Sequence, residues 1–202
     1  MKNFLVKGPS KGVKGSIVIS GAKNSCLPLM ASSLLFKKQV TLQNVPLVKD
    51  VITMKNLLIA LGSKVEISEK NKTMKITNTK SHKLKVPYHL VSTMRAGVLT
   101  MGALLGRYQK KNIYVAKSGG CSLGVRDINY HLAGFESLKA KNSLFKGYVK
   151  ITSVNGLKGN KYSFPKVTVT GTSNLIMASI FAKGSHIINN ISIEPEVIDL
   201  IN

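Results

Sequence analysis

"SGAKNSCLPLMASSLLFKKQVTLQNVPLVKDVITMKNLLIALGSKVEI", residues 20–67, decides the fold because its order of parts recurs further along the chain. A polar turn leads into an apolar helix pattern, followed by an alternating strand "QVTLQNV" and a second, amphipathic helix from about Asp50 to Leu61. Asp50 is placed to cap that second helix and Gly62 to stop it.

The same order returns in "STMRAGVLTMGALLGRYQKKNIYVAKSGGCSLGVRDINYHLAGFESLKA", residues 92–140. Ser92 or Thr93 caps an apolar helix, "NIYVA" is the strand, and a second helix starts at about Asp127. A third copy opens at "TGTSNLIMASIFAKGSHIINNISIEPEVIDLIN", with a helix closing at Lys183 and Gly184, the strand "SHIINN" and a helix starting near Glu194. Strand pairs separate the copies, "KVEISEKNKTMKITN" in the first and "SLFKGYVKITSV" in the second. The unit is therefore helix, strand, helix, strand, strand, and the third copy is truncated before its strand pair.

Composition narrows the function. The 202 residues carry 44% hydrophobic side chains, enough for a sizeable core. No run of about 18 apolar residues and no signal-peptide core appears, so the expected location is cytoplasmic, with no membrane partner. The net charge of +22 is the loudest feature, yet only Arg95, Arg107 and Arg126 among 30 basic residues are arginines. Groove readers lean on arginine's bidentate fork, and the aromatics form no stacking platform. A lysine-rich solvated surface is expected, with no nucleic-acid partner. Cys26 and Cys121 have no second ligand at metal spacing, so no metal and no cofactor is expected.

Three places carry candidate chemistry. Lys23 and Asn24 follow Ser20 and Gly21 at the mouth of an apolar helix, where free N–H groups and the helix dipole favour an anion. Arg95 occupies the equivalent first turn in the second copy, a poor position for a cation unless an anion is bound. In "KSGGCSLGVR", Gly119, Gly120 and Gly124 admit close approach of a ligand, and Lys117 and Arg126 would lower the Cys121 thiol pKa. Cys26, within "SCLPLMASSLL", reads as a core thiol. His82, His89, His131 and His186 are scattered, with His131 set apart by its place on the first turn after the cysteine loop. The eight acidic residues offer no acid and base pair.

Together "KGSIVISGAKNS", "LQNVPLVKDV", "STMRAGVL", "GGCSLGVR", "GFESLKA", "KVTVTGTSNLIMASIFAKG" and "EPEVID" resemble the UDP-N-acetylglucosamine 1-carboxyvinyltransferases, enolpyruvyl transferases that open peptidoglycan synthesis. The resemblance runs over essentially the whole chain and stops about halfway along a typical member. It implies an α/β fold, the inverted α/β barrel, each domain being made of three copies of the repeat. It also implies that residues 1–21 pack with a second domain and that residues 22–202 form an incomplete first domain, the second catalytic domain being absent.

The implied reaction transfers the enolpyruvyl group of phosphoenolpyruvate to the sugar 3-hydroxyl of UDP-N-acetylglucosamine. On this resemblance Lys23 holds phosphoenolpyruvate, and Asn24 and Arg95 hold the nucleotide sugar. Cys121 is the proton donor and the site of fosfomycin alkylation, with Arg126 clamping phosphate. Arg126, Asp127, Ile128, Asn129 and Tyr130, then His131, line the uridine side with Lys166, Val167, Thr168 and Val169.

Ser118 and Asp127 stand where the family has proline, and Asn129 where aspartate is common. The family's aspartate base and further arginines fall in the half not seen here. Activity is therefore expected to need a second chain carrying the C-terminal domain. The contrasting reading is a non-catalytic remnant or weak nucleotide-sugar binder. The shikimate-pathway transferase is the near alternative within the superfamily, disfavoured by the Cys121 loop and "GAKNS".

Overall fold

The computed structural model describes residues 3–8, 12, 14–91, 94–116 and 128–202. In the first copy α1 (Lys23–Ser32) runs into a 3-10 turn at Ser33–Leu35, then β1 (Val40–Leu42), α2 (Lys49–Leu61), β2 (Lys64–Ser68) and β3 (Thr73–Thr77). The second has β4 (Lys85–Val86), the single-turn α3 (Tyr88–Val91), a 3-10 helix at Arg95–Leu99, α4 (Thr100–Arg107), β5 (Ile113–Ala116), α5 (Asn129–Ser137), β6 (Lys141–Phe145) and β7 (Tyr148–Thr152). The third has β8 (Lys161–Ser163), α6 (Val169–Ser179), β9 (Ile187–Asn189) and α7 (Pro195–Ile201).

The strand pairs form where the alternation places them. In β3, Met74 and Ile76 are buried while Thr73, Lys75 and Thr77 face outward or half outward, as one buried sheet face requires. β3 pairs antiparallel with both neighbours, Val40 opposite Ile76 and Lys64 opposite Thr77. The second sheet runs β4-β5-β7-β6, with β4 and β5 parallel, and the third pairs β8 with β9, also parallel. These leading strands are an addition to the sequence reading. In the second and third copies the unit begins with a strand of two or three residues, too short to show a period.

α2 buries Val51, Met54, Leu57, Leu58 and Leu61 on one face and ends at Gly62, whose φ of 109° is the left-handed stop. The expected cap is corrected: Val48 occupies the cap position without a side-chain bond, and Asp50 sits inside the first turn. The cysteine-loop copy likewise starts its second helix at Asn129, Asp127 lying outside the described residues with Ser92 and Thr93. α6 ends at Ser179 rather than at Lys183, and α7 begins at Pro195 behind Glu194.

Of the equivalent helices α1, α4 and α6, the middle one packs along α6 and touches α1. Met30, Ala31, Ala103, Leu104, Met177 and Ala178 are fully buried there. Close approach depends on the absence of side chains. A Cβ on Gly106 would sit 2.6 Å from the Met177 carbonyl oxygen, and one on Gly102 would collide with the Asn174 carbonyl. Helices thus occupy the interior and small sheets lie outside them, the inverted arrangement that the resemblance implies.

Candidate functional site

The candidate residues gather on elements that touch one another. α1 packs on the 3-10 helix that begins with Arg95, that helix packs on α6, and α6 packs along α5. Of the sequence-derived candidates, Cys121, Arg126 and Asp127 lie outside the described residues, and Arg95 is described in its backbone.

At the start of α1, Lys23 and Asn24 are exposed and no side chain caps the helix. Lys23 Nζ donates to Asp50 Oδ2 at 3.0 Å, with both groups roughly half exposed. An ion pair of that exposure contributes about 0–1 kcal/mol, so it holds the lysine near the helix mouth without committing it. The acid read as a helix cap therefore serves as a counter-charge to the candidate anion-binding lysine.

At the start of α6, Lys166 and Val167 are exposed and Thr168 caps the helix, its Oγ1 accepting from Gly171 N at 3.2 Å. Thr172 Oγ1 and Ser173 Oγ donate back to the Thr168 and Val169 carbonyls, so the first turn is tied internally. Lys166 stands just before the positive end of that helix, and the pair favours an anion. Ile128 anchors the start of α5, its carbonyl accepting from His131 N and Leu132 N, and Ile128 and Tyr130 pack partly against the core.

His131 is placed differently from a ligand contact. Its ring is buried, with Nδ1 2.8 Å from Asn174 Nδ2 and Nε2 3.4 Å from Thr170 Oγ1, and burial lowers its pKa to about 4. The structure turns this ring into the seam between α5 and α6 instead of onto the open face. Asn174 and Thr170, its partners, were not singled out in the sequence. The signal available was a lone asparagine in the apolar run "NLIMAS".

Of the other histidines, His82 is structural. His82 is buried, Nδ1 2.7 Å from Tyr108 Oη and Nε2 3.2 Å from both Ser63 Oγ and Asn78 Oδ1. Burial and the nearby Arg107 charge lower its pKa to about 4. Cys26 is buried, and desolvation pushes its thiol up to about 11, as expected of a core cysteine. Among the described residues no group of three or more His, Cys, Asp or Glu could hold a metal ion, and no described helix is long and apolar enough to cross a membrane. A cleft of about 480 Å³ lined by Leu35, Lys37, Arg107, Tyr108, Lys111 and Phe181 lies at the far end of α4 from Arg95. Its arginine is consumed by the carbonyls of Leu34, Phe36 and Thr79, at 2.7 to 3.1 Å.

This helix-inside architecture is that of an enolpyruvyl transferase domain. The sequence model for EPSP synthase (3-phosphoshikimate 1-carboxyvinyltransferase) matches residues 7–202, and the chain belongs to that family. Among curated relatives, the UDP-N-acetylglucosamine 1-carboxyvinyltransferases of Pelagibacter ubique (strain HTCC1062) and Magnetococcus marinus are 44% and 46% identical over 202 residues, all of this chain and 47% of each relative. The chain thus spans about half the length of the curated relatives it matches. Among solved structures, the enolpyruvyl transferase NikO from Streptomyces tendae superposes with a TM-score of 0.78 at 13% identity, over 93% of this chain and 43% of that one. EPSP synthase from Acinetobacter baumannii gives 0.68 at 17% identity, over 91% and 42%.

Proposed function

We propose that the chain forms the first-domain wall of a site that transfers the enolpyruvyl group of phosphoenolpyruvate to the 3-hydroxyl of UDP-N-acetylglucosamine. The observation that supports the reading is the contact of α5 with α6, in which His131 near the start of α5 meets Thr170 and Asn174 of α6, elements whose starts hold Ile128, Asn129 and Tyr130 and Lys166, Val167, Thr168 and Val169. The uridine diphosphate moiety lies across these two starts, with its charge met by Lys166 and the α6 terminus. Asn24 and Arg95 hold the sugar side, and Lys23 holds phosphoenolpyruvate.

In the reaction the sugar 3-hydroxyl oxygen bonds to C2 of phosphoenolpyruvate while the Cys121 thiol gives its proton to C3. Loss of phosphate from C2 and of a proton from C3 then restores the double bond. Arg126 stabilises the departing phosphate. The base that takes the hydroxyl proton is absent from the described face, where Asp50 is paired with Lys23. It comes from a second body carrying the remaining half of the family's site.

Residues 1–21 dock against that body. Phe4, Leu5 and Val6, then Ile17, Val18 and Ile19, are 76% to 99% exposed, more apolar surface than a short segment retains when it has a partner. The proposed compartment is the cytoplasm, where the thiols stay reduced.

The test is alkylation of the two cysteines near neutral pH. Cys121, flanked by Lys117 and Arg126, should react with iodoacetamide well before Cys26, and UDP-N-acetylglucosamine should slow it. Equal labelling of both thiols in the folded chain, indifferent to ligand, would mean that the wall does not form. Turnover by the chain alone is not expected.

A further inference from the structure

The helical run at residues 95–107 changes from 3-10 to α between Leu99 and Thr100, and a side chain 72 residues along the chain from Gly102, that of Asn174, bonds to its backbone on both sides of the change. A continuous α-helix would bond Gly102 N–H to the Val98 carbonyl. The Asn174 carboxamide takes both instead: Oδ1 accepts from Gly102 N at 2.8 Å and Nδ2 donates to Val98 O at 3.0 Å. A side chain that inserts into the i→i−4 ladder displaces the backbone bonds an α-helix would make there. Upstream of it the chain runs as a 3-10 helix, Arg95–Leu99, and downstream as α4.

The change of helix type sets where the Arg95 backbone falls around the helix axis. A 3-10 helix advances about 120° per residue and an α-helix about 100°, so between Leu99 and Arg95 the two differ by roughly 80° around the axis. The same carboxamide also fixes the start of α5. Since Gly102 N requires an acceptor, Oδ1 is committed to it and Nδ2 must donate, which makes His131 Nδ1 an acceptor at 2.8 Å. The ring proton then sits on Nε2 and points to Thr170 Oγ1 on the first turn of α6. Asn174 itself is fully buried and every one of its polar atoms is used. Gly102 is required for the insertion, because a Cβ there would lie 2.6 Å from Asn174 Oδ1.

We propose that Asn174 is the positioning residue of the nucleotide-sugar site: its single carboxamide sets the angular position of Arg95 and locks the start of α5 to the start of α6. This rests on the functional reading above and adds the element that aligns its three parts. The ligand is a uridine diphosphate sugar, met by all three.

Two measurements on the full chain test it. Nitrogen-15 spectra of the histidine rings near neutral pH should show His131 protonated at Nε2 with Nδ1 accepting, a result that needs neither variant nor ligand. Titration calorimetry with UDP-N-acetylglucosamine then compares Asn174→Leu with Asn78→Leu. Asn78 is a buried asparagine of the first copy that donates to the Ser33 and Phe36 carbonyls, away from the site. Asn174→Leu should weaken binding about tenfold or more, and Asn78→Leu should leave it within about twofold at a comparable loss of melting temperature. Equal weakening by the two, unchanged binding in Asn174→Leu, or a wild-type His131 protonated at Nδ1 would overturn the inference. Should Asn174→Leu not fold, Asn174→Ser takes its place under the same criteria. A wild-type chain that shows the Nε2 tautomer but binds no UDP-N-acetylglucosamine overturns the functional reading, and the ligand half of this inference with it.

Discussion

The Lys23 and Asp50 pair shows how one charge can be held ready without being spent. Asp50 lies 3.0 Å from the lysine, and both groups are open to water, so their attraction is small and salt-sensitive. An anion entering at the start of α1 competes with the carboxylate. Asp50→Asn should therefore bind inorganic phosphate several times more tightly than the parent, read as phosphate-induced shifts in nitrogen-proton spectra. Weaker binding in that variant would mean that the acid positions the lysine instead of competing for it. The buried histidines make the second prediction at this scale. His82 and His131 both have pKa values lowered from 6.5 to about 4, mainly by burial. The unfolded chain takes up these protons as pH falls through about 6.5, whereas the folded chain resists until about 4. The native state therefore has full stability above pH 6.5 and loses it progressively between 6.5 and 4, by on the order of 3 kcal/mol for His131 alone. Urea midpoints between pH 7 and 4.5 measure it, and His131→Gln should flatten the slope. A slope unchanged in that variant would put the proton uptake elsewhere.

Among the elements, the crossing of α4 and α6 is the most exposed to a small change. Gly102 and Gly106 lie one turn apart on the same face, and backbone of α6 fills the space a side chain would need. Gly102→Ala must push the two helices apart and should lower stability by about 1–3 kcal/mol, on the scale of core overpacking. Gly134→Ala on α5 meets only the flexible end of Leu175, at 3.3 Å, and should cost far less. Similar melting temperatures for the two variants would argue against rigid contact at the crossing. The elements also show what a linear reading can reach. α2 and its stop at Gly62 were legible because the apolar face and the left-handed glycine are local signals. β4 and β8 were not, since two or three residues have no period and take their conformation from a parallel neighbour supplied later in the chain. The split before α4 was not legible either, because no propensity within residues 92–107 encodes a carboxamide arriving from α6. For the same reason His131 could be placed near the site by its spacing from Cys121, while the direction of its ring could not. Lys166–Val169 and the start of α5 were legible only through the resemblance, and the structure adds that α5 and α6 are in contact through His131, Thr170 and Asn174.

At the scale of the whole molecule, the interior is finished and the outside is not. Met30, Leu34, Met54, Leu104, Ile151 and Met177 are all fully buried around the central helices, so the described repeats hold a well-packed core without help. By contrast Phe4, Leu5, Val6, Ile17, Val18 and Ile19 stand almost wholly in water, and Ile187, Ile193, Ile198 and Ile201 are 44% to 76% exposed. Val197 beside them is fully buried, so α7 is seated on the core along one side and open on the other. Apolar surface left open in this way favours association, while the net charge of +22 opposes it through mutual repulsion. The balance is set by salt, because screening shortens the reach of the charge to about 8 Å at physiological ionic strength and leaves the apolar contact intact. The chain should therefore be monomeric at low ionic strength and form dimers or larger species as salt rises, measured by light scattering after size exclusion. Removing residues 1–19 should shift that transition to higher salt, because it deletes the larger apolar patch, a loss that outweighs the slightly lower repulsion left by the lysines removed with it. A chain that stays monomeric at every ionic strength, with the segment intact, would show that these side chains find cover within the molecule and that no second body is needed.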